Sequence, residues 1–267
     1  MRTITLFNIS ILTSAFLLSS AVHLKAASLA GLWYFDNAAN PAEATVGNDL
    51  FFLGVAPTYS ASLADDSSNS LTGVITTAVA DSANRIRSDH GIAANGGGSF
   101  VNQYSIVTDI FSPAASRSSW RTIYQTNTAN GNDGDYFIRP DNDNLGVADL
   151  TYSDSPIDET SWTRLVVTFD LTQDGGDVTT YLDGSLHHIH QPDATVDQRF
   201  SLDPSVFFFT DNDGDNAPLN VGALAIYDGV LTAGEVAALG NAGAAIPEPS
   251  TSVLLALVGC LALRRRR

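Results

Sequence analysis

The stretch 162–184 constrains the fold more than any other part of the sequence. Its first half alternates as a half-buried strand does, with Leu165, Val167 and Phe169 on one face and Arg164, Val166 and Thr168 on the other. Turn-forming residues at 173–176 then reverse the chain into a second strand over 178–182, which ends at Asp183 and Gly184. This pattern predicts a β-hairpin, so the fold has to contain an antiparallel sheet that receives it.

Short strand signals separated by turn residues continue through most of the chain. The one good helix signal begins at Thr232, where Glu235 completes a capping box, and Gly240 supplies the stop. Residues 61–72 and 85–98 are predicted as polar connections, because Ser, Ala, Asn, Asp and Gly dominate them. Many short strands with one short C-terminal helix predict an all-β protein, an antiparallel β-sandwich of the jelly-roll type.

Four segments carry a family resemblance. They are the opening strand 31–36, the hairpin strands 162–170 and 178–184, and the run 221–236, which contains VGALAIY and the LTAGEV helix start. Together they resemble the laminin-G-like, concanavalin A-like jelly rolls and imply one such domain over 28–245. That family includes lectins, carbohydrate-binding modules, adhesion domains and glycosidases, so the resemblance implies the fold and leaves the activity open.

The C-terminal segment 246–267 has three ordered parts: a proline-bracketed turn, an apolar run and a basic end. The residues that define them are Pro247, Glu248 and Pro249, then 253–263, then Arg264, Arg265, Arg266 and Arg267. The apolar run is shorter than the roughly 20 residues of a full membrane-spanning helix. This order resembles the PEP-CTERM sorting signal of Gram-negative bacteria. The resemblance implies transient inner-membrane insertion, cutting by an exosortase, and release to the cell surface or extracellular matrix. An ordinary tail-anchor helix or a buried C-terminal helix is the alternative.

The N-terminal segment has the features of a secretory signal. Arg2 precedes an apolar stretch over 4–22, and Ala26 and Ala27 are small residues suited to signal peptidase. We therefore predict a signal peptide over 1–27, with a retained signal anchor as the alternative. Either reading predicts that the body is exported.

The excess of acidic residues excludes one class of binding partner. The chain carries 29 acidic and 13 basic residues. Lys25, Arg2 and the four terminal arginines lie in the two sorting segments, so the basic residues of the body are all arginine. Nucleic-acid binding is excluded, because phosphate contacts need clustered Lys or Arg. The single cysteine, Cys260, lies in the tail, so the fold depends on its core and not on disulfides.

Two groups of residues are candidate metal ligands. Two loops are rich in the oxygen ligands that Ca²⁺ prefers, and they predict a calcium site with Asp133 and Asp135 or with Asp211, Asp213 and Asp215. Solvated acidic turns are the alternative. In an extended strand His188 and His190 would share a face, a spacing that suits zinc or copper given a third ligand from elsewhere. An exposed hairpin arm is the reading that we favour for these histidines.

The sequence favours binding over catalysis. Glycosidases need paired carboxylates, yet the body has only Glu43, Glu159 and Glu235, and none lies in an alternating acidic strand. Trp120 and Tyr124 are the candidate glycan-stacking residues. We therefore expect an exported, non-catalytic glycan-binding or structural module of the cell surface. A polysaccharide hydrolase or lyase and a calcium-dependent adhesion module are the alternatives.

Overall fold

The computed structural model describes residues 27–79, 81–129, 134–147, 151–211 and 213–247. Almost all regular structure within these ranges is β. In chain order the elements are β1 (Ser28–Trp33), β2 (Phe51–Leu53), β3 (Thr58–Ala64), β4 (Ser70–Thr76), β5 (Arg85–Asp89), β6 (Gln103–Phe111), a 3-10 turn (Ala114–Ser116), β7 (Arg121–Gln125), β8 (Asp135–Ile138), β9 (Asn144–Val147), β10 (Thr151–Pro156), β11 (Thr163–Asp170), β12 (Asp177–Leu182), β13 (Ser185–His190), β14 (Ser205–Phe208), β15 (Asn220–Asp228) and α1 (Ala233–Leu239).

The strands form two sheets. Sheet A has the order β13-β12-β11-β6-β15-β4-β3, with β1 also paired to β15, and sheet B has the order β10-β9-β8-β7-β14-β5-β2. Neighbouring strands are antiparallel in every pair that the described residues form. The predicted antiparallel β-sandwich is confirmed, and the predicted hairpin is β11 paired with β12.

The main core lies between the two sheets. Sheet A contributes residues such as Ile106, Leu165 and Ile226, and sheet B contributes Tyr136 and Phe208, all of them at most 1% exposed. The central strands of sheet A are buried on their other face as well, where Val107 and Val166 belong to a second cluster. These strands therefore need apolar residues on both faces, which explains why β6 and β11 read as continuous apolar runs.

The outer face of sheet A is covered by α1 and by the segment 240–247. Val236, Leu239 and Ile246 pack into the second cluster, together with Ala27 from the start of the described chain. The predicted capping box is confirmed, with Thr232 Oγ1 accepting from the Glu235 amide at 3.3 Å. The cover is thus the C-terminal part of the body folded back over its own sheet.

A buried ion pair holds this cover in place. On adjacent strands, Arg164 donates to both carboxylate oxygens of Asp109, at 2.7 and 2.8 Å. The same guanidinium donates to the carbonyl oxygens of Leu239 at 2.5 Å and Ala244 at 2.6 Å, while the Gly243 amide donates to Asp109 at 2.8 Å. The pair therefore satisfies backbone groups at the end of α1 and in the segment that follows it.

Two predicted connections are strands. Most of 61–72 belongs to the β3–β4 hairpin, and 85–98 begins with β5. The reason is positional. The β3 strand is an edge strand of sheet A and tolerates Ser, Thr and Ala, whereas β5 points Arg85 and Arg87 outward and Ile86 into the core. Pairing with neighbours makes these segments strands in spite of their polar composition.

The predicted terminal signals lie mostly outside the described residues. This applies to 1–26 of the signal peptide and to Glu248, Pro249 and the arginines 264–267. Ile246 and Pro247 are described, and both are tied to the body: Ile246 is 4% exposed, and the Tyr227 hydroxyl donates to the Pro247 carbonyl at 2.9 Å. Among the described helices none has the length and apolar character required to cross a membrane.

Candidate functional site

The outer face of sheet B is the place where exposed aromatic and acidic side chains meet. The one α-helix of the described residues packs on sheet A, and none of the described residues places a helix over sheet B. Strand alternation turns Phe137 of β8 outward, since its neighbours Tyr136 and Ile138 point into the core. The Phe137 ring is therefore available to support side chains on the outer surface of sheet B.

Three aromatic rings define one end of this site. The Trp120 ring meets Phe137 edge-on, with ring centroids 5.6 Å apart, and it also lies 6.2 Å from the Tyr152 ring. Phe137 is buried at 4% exposure, whereas Trp120 and Tyr152 are partly exposed. Phe137 is thus the support, and the other two rings present aromatic surface to solvent.

A glycine and an arginine set the position of Tyr152. Gly146 is paired with Tyr152 across β9 and β10, and a Cβ at Gly146 would lie 2.7 Å from a carbon of the Tyr152 ring. Because Gly146 has no side chain, the Tyr152 ring can occupy the space beside it. The Arg139 guanidinium lies over the Tyr152 ring, 4.8 Å from the ring centroid, and makes a cation–π contact with it.

The acidic loop that precedes β15 forms the opposite wall. Two hydrogen bonds hold it against β7 and the residue before that strand, from Thr122 Oγ1 to the Asp215 carbonyl at 2.6 Å and from the Ala217 amide to the Trp120 carbonyl at 2.9 Å. Between loop and ring lies an open cleft of about 340 Å³. Its lining combines an aromatic ring, hydroxyls and a carboxylate: Ser118, Ser119, Trp120, Pro140, Gly214 and Asp215.

The electrostatics of the cleft are acidic. Desolvation, with the nearby charge of Asp213 adding to it, raises the pKa of the exposed Asp215 carboxyl above its ordinary value. A carboxylate accepts hydrogen bonds, and the hydroxyls of Ser118 and Ser119 can both donate and accept. Aromatic surface flanked by such groups suits a polyhydroxylated ligand.

The two sequence-predicted acidic loops have different outcomes. Asp133 lies outside the described residues, and Asp135 begins β8. Asp211 is buried, whereas Asp213 and Asp215 are exposed, and Asp211 accepts from the amide of Asp213 at 2.5 Å. Among the described residues no group of three or more His, Cys, Asp or Glu side chains is arranged to hold a metal ion.

The two predicted glycan-stacking residues lie in different parts of the structure. Trp120 lies in the cleft, but Tyr124 is fully buried between the sheets, stacked on Tyr136 and edge-on to Phe169. The cause is a β-bulge in β7 between Thr122 and Tyr124, which reverses the alternation and turns Tyr124 inward. The assignment of Tyr124 to a glycan surface was therefore wrong.

Sequence reasoning missed Phe137, Tyr152 and Arg139. For Phe137 a signal existed, because alternation in the run Tyr136, Phe137, Ile138 places it opposite its two neighbours. Tyr152 and Arg139 join the site only through the pairing of β9 with β10 and the turn before β9, which local patterns do not reveal.

The three glutamates of the body all have structural partners. Glu43 accepts from the Asn37 side chain, Glu159 is buried against the Arg121 guanidinium, and Glu235 caps α1. None of them lines the cleft.

Comparison with known proteins gives a fold. Neither protein-family models nor curated proteins match the sequence. Among solved structures, the receptor-binding domain of botulinum neurotoxin C/D mosaic serotype matches with a TM-score of 0.52 and 14% identity, over 79% of this chain and 50% of that chain. The serotype D binding domain matches with a TM-score of 0.52 and 16% identity, over the same shares. The serotype D ligand-binding domain in complex with N-acetylneuraminic acid matches with a TM-score of 0.51 and 14% identity, again over 79% and 50%.

These likenesses concern architecture. This chain spans about half the length of the neurotoxin domains that it matches. At such identities the shared feature is the β-sandwich itself, which serves many unrelated functions. The described body is thus a β-sandwich like those of the neurotoxin receptor-binding domains.

Proposed function

We propose that this chain is an exported surface or matrix protein whose sandwich binds a glycan, without catalysis, in the cleft between Trp120 and Asp215. The observation that carries the proposal is the Trp120–Phe137–Tyr152 aromatic group beside Asp215 on the outer face of sheet B. Sugar rings offer an apolar C–H face to an aromatic ring and hydroxyls to a carboxylate. One solved structure that this chain matches over half of that structure's length is a neurotoxin ligand-binding domain in complex with N-acetylneuraminic acid.

The route of export is the second part of the proposal. The N-terminal segment supports removal by signal peptidase, and the Pro247–Glu248–Pro249 turn with its apolar run and arginines supports sorting by an exosortase. This route gives the protein a polysaccharide-rich surrounding at the cell surface of a Gram-negative bacterium. The Glu248→Ala variant, expressed beside an exosortase, is expected to keep its tail, which mass spectrometry of the cell-surface fraction detects.

The binding experiment uses the purified full chain and a panel of bacterial and algal polysaccharides. We expect retention on at least one polysaccharide and at least about tenfold weaker binding by Trp120→Ala, since central aromatic anchors carry most of the energy of such sites. Phe51→Ala is the matched control. Phe51 is an exposed aromatic residue at the opposite edge of sheet B and is expected to keep full binding.

Four outcomes separate the alternatives. Binding lost with a chelator would favour a calcium-dependent module and would direct mutagenesis to Asp211, Asp213 and Asp215. Shortened polysaccharide chains would favour a hydrolase or lyase. Equal binding by wild type and Trp120→Ala would remove the cleft from the proposal, and absence of binding to every polysaccharide would leave adhesion to a surface protein.

A further inference from the structure

A second group of functional side chains lies where the two sheets of the sandwich meet at an edge. Here β13, the edge strand of sheet A, contacts β10, the edge strand of sheet B. Register places His188 opposite Thr180 and His190 opposite Val178, two residues that are fully buried. Both histidines therefore point inward, toward sheet B, and their rings lie 4.1 Å apart.

His190 is buried in an unusual way for a polar side chain. It is 1% exposed, its Nδ1 atom lies 2.5 Å from Thr151 Oγ1, and its Nε2 atom has no hydrogen-bond partner among the described residues. Buried polar atoms are nearly always satisfied, and an exception calls for a bound ion or water. When Thr151 Oγ1 accepts a hydrogen bond from Nδ1–H, the Nε2 atom keeps a free lone pair that can bind a metal. Metal-binding histidines have this arrangement, in which the second ring nitrogen donates a supporting hydrogen bond.

We propose that His188 and His190 bind one late first-row divalent metal ion, copper(II) most strongly, at the β10–β13 edge. Imidazole nitrogens suit copper and zinc, and copper(II) has the highest affinity for a given set of nitrogen ligands. The described residues offer no third histidine, cysteine or carboxylate here, so solvent completes the coordination. The proposal is independent of the glycan cleft, which involves none of these residues.

One feature of the surroundings separates the third histidine of this strand from the proposed site. His187 is engaged elsewhere. Its Nε2 lies 3.1 Å from the Ser155 carbonyl, and because a carbonyl only accepts, that nitrogen carries the proton.

The test is titration of the purified full chain with Cu²⁺, followed by calorimetry and electron paramagnetic resonance. We expect one site with nitrogen hyperfine structure from two imidazoles, and at least tenfold weaker binding by His188→Ala and by His190→Ala. His188 is partly exposed, so its variant is expected to fold even where the His190 variant does not. His187→Ala is the matched control and is expected to keep the site.

Two results would overturn the proposal. One is equal copper affinity in wild type and in the His188→Ala variant. The other is a spectrum with a single nitrogen ligand in the wild type, which would assign the copper to an isolated histidine.

Discussion

The outer face of sheet A is covered by α1 and by residues 240–247, whereas the outer face of sheet B is open around Trp120. On the first face a charged pair, Arg164 with Asp109, is buried and serves to fasten backbone. On the second face polar and aromatic groups such as Asp215 and Tyr152 stay accessible. The outer face of sheet A is thus covered by the chain itself, whereas the outer face of sheet B leaves groups near Trp120 accessible to a ligand.

We expect the largest loss of stability from removal of the buried ion pair on the covered face of sheet A. Arg164→Met leaves Asp109 buried without its cation, and loss of one partner of a buried pair costs about 3–5 kcal/mol. Arg87→Met is the control on the open face, where the Arg87–Asp89 pair is 3.1 Å apart and partly exposed and contributes about 0–1 kcal/mol. Urea unfolding followed by circular dichroism measures both.

A double variant tests the cause of that loss. Adding Asp109→Leu to Arg164→Met removes the unpaired charge, so much of the lost stability should return. Equal destabilisation by Arg164→Met and Arg87→Met would contradict the contrast between the two faces.

An intermediate effect is expected at Gly146 on the open face. In Gly146→Ala the new Cβ would lie 2.3 Å from the Thr151 carbonyl oxygen and 2.7 Å from the Tyr152 Cα. We expect a loss of about 1–3 kcal/mol in stability, because backbone has to shift, and weaker glycan binding, because Tyr152 moves.

Gly234→Ala is the matched control on the covered face. Gly234 lies in α1 with no atom within 4 Å of the added Cβ, so a gain of about 0.5–1 kcal/mol is expected. Thermal unfolding and polysaccharide affinity of both variants give the comparison. An unchanged affinity in Gly146→Ala would show that Tyr152 has no part in the site.

The smallest effect should be a pH shift in the cleft. The raised pKa of Asp215 means that its carboxylate is protonated at a higher pH than an ordinary aspartate as the solution is acidified. Since the carboxylate is the proposed acceptor, glycan affinity should fall as the pH drops through that pKa. Asp213→Asn removes the neighbouring negative charge, so the fall should move to lower pH.

Asp215→Asn completes this experiment. Its affinity is expected to be lower at neutral pH and to show no such fall on acidification. A pH profile that is identical in wild type and Asp215→Asn would show that the Asp215 carboxylate takes no part in binding.

The sequence predicts those elements whose signal is local. The β11–β12 hairpin follows from alternation, and α1 follows from Thr232, Glu235 and Gly240. Strands β3 and β5 were missed, because their polar residues become strand only through pairing with β4, β14 and β2. For the site, Trp120 was identified, whereas the inward turn of Tyr124 depends on a bulge that no local pattern shows.

The fixed position of Pro247 gives the protein a direction. Strand β15 begins at Asn220, three residues after Ala217 and its bond to Trp120, and near its other end Tyr227 holds Pro247. Asn220 and Tyr227 are about 23 Å apart along an extended strand. A partner that bound the chain beyond Pro247 would therefore hold the end of the molecule near Tyr227. The end that carries Trp120 would then face away from that partner, so a layer of such proteins would expose its clefts to the surroundings.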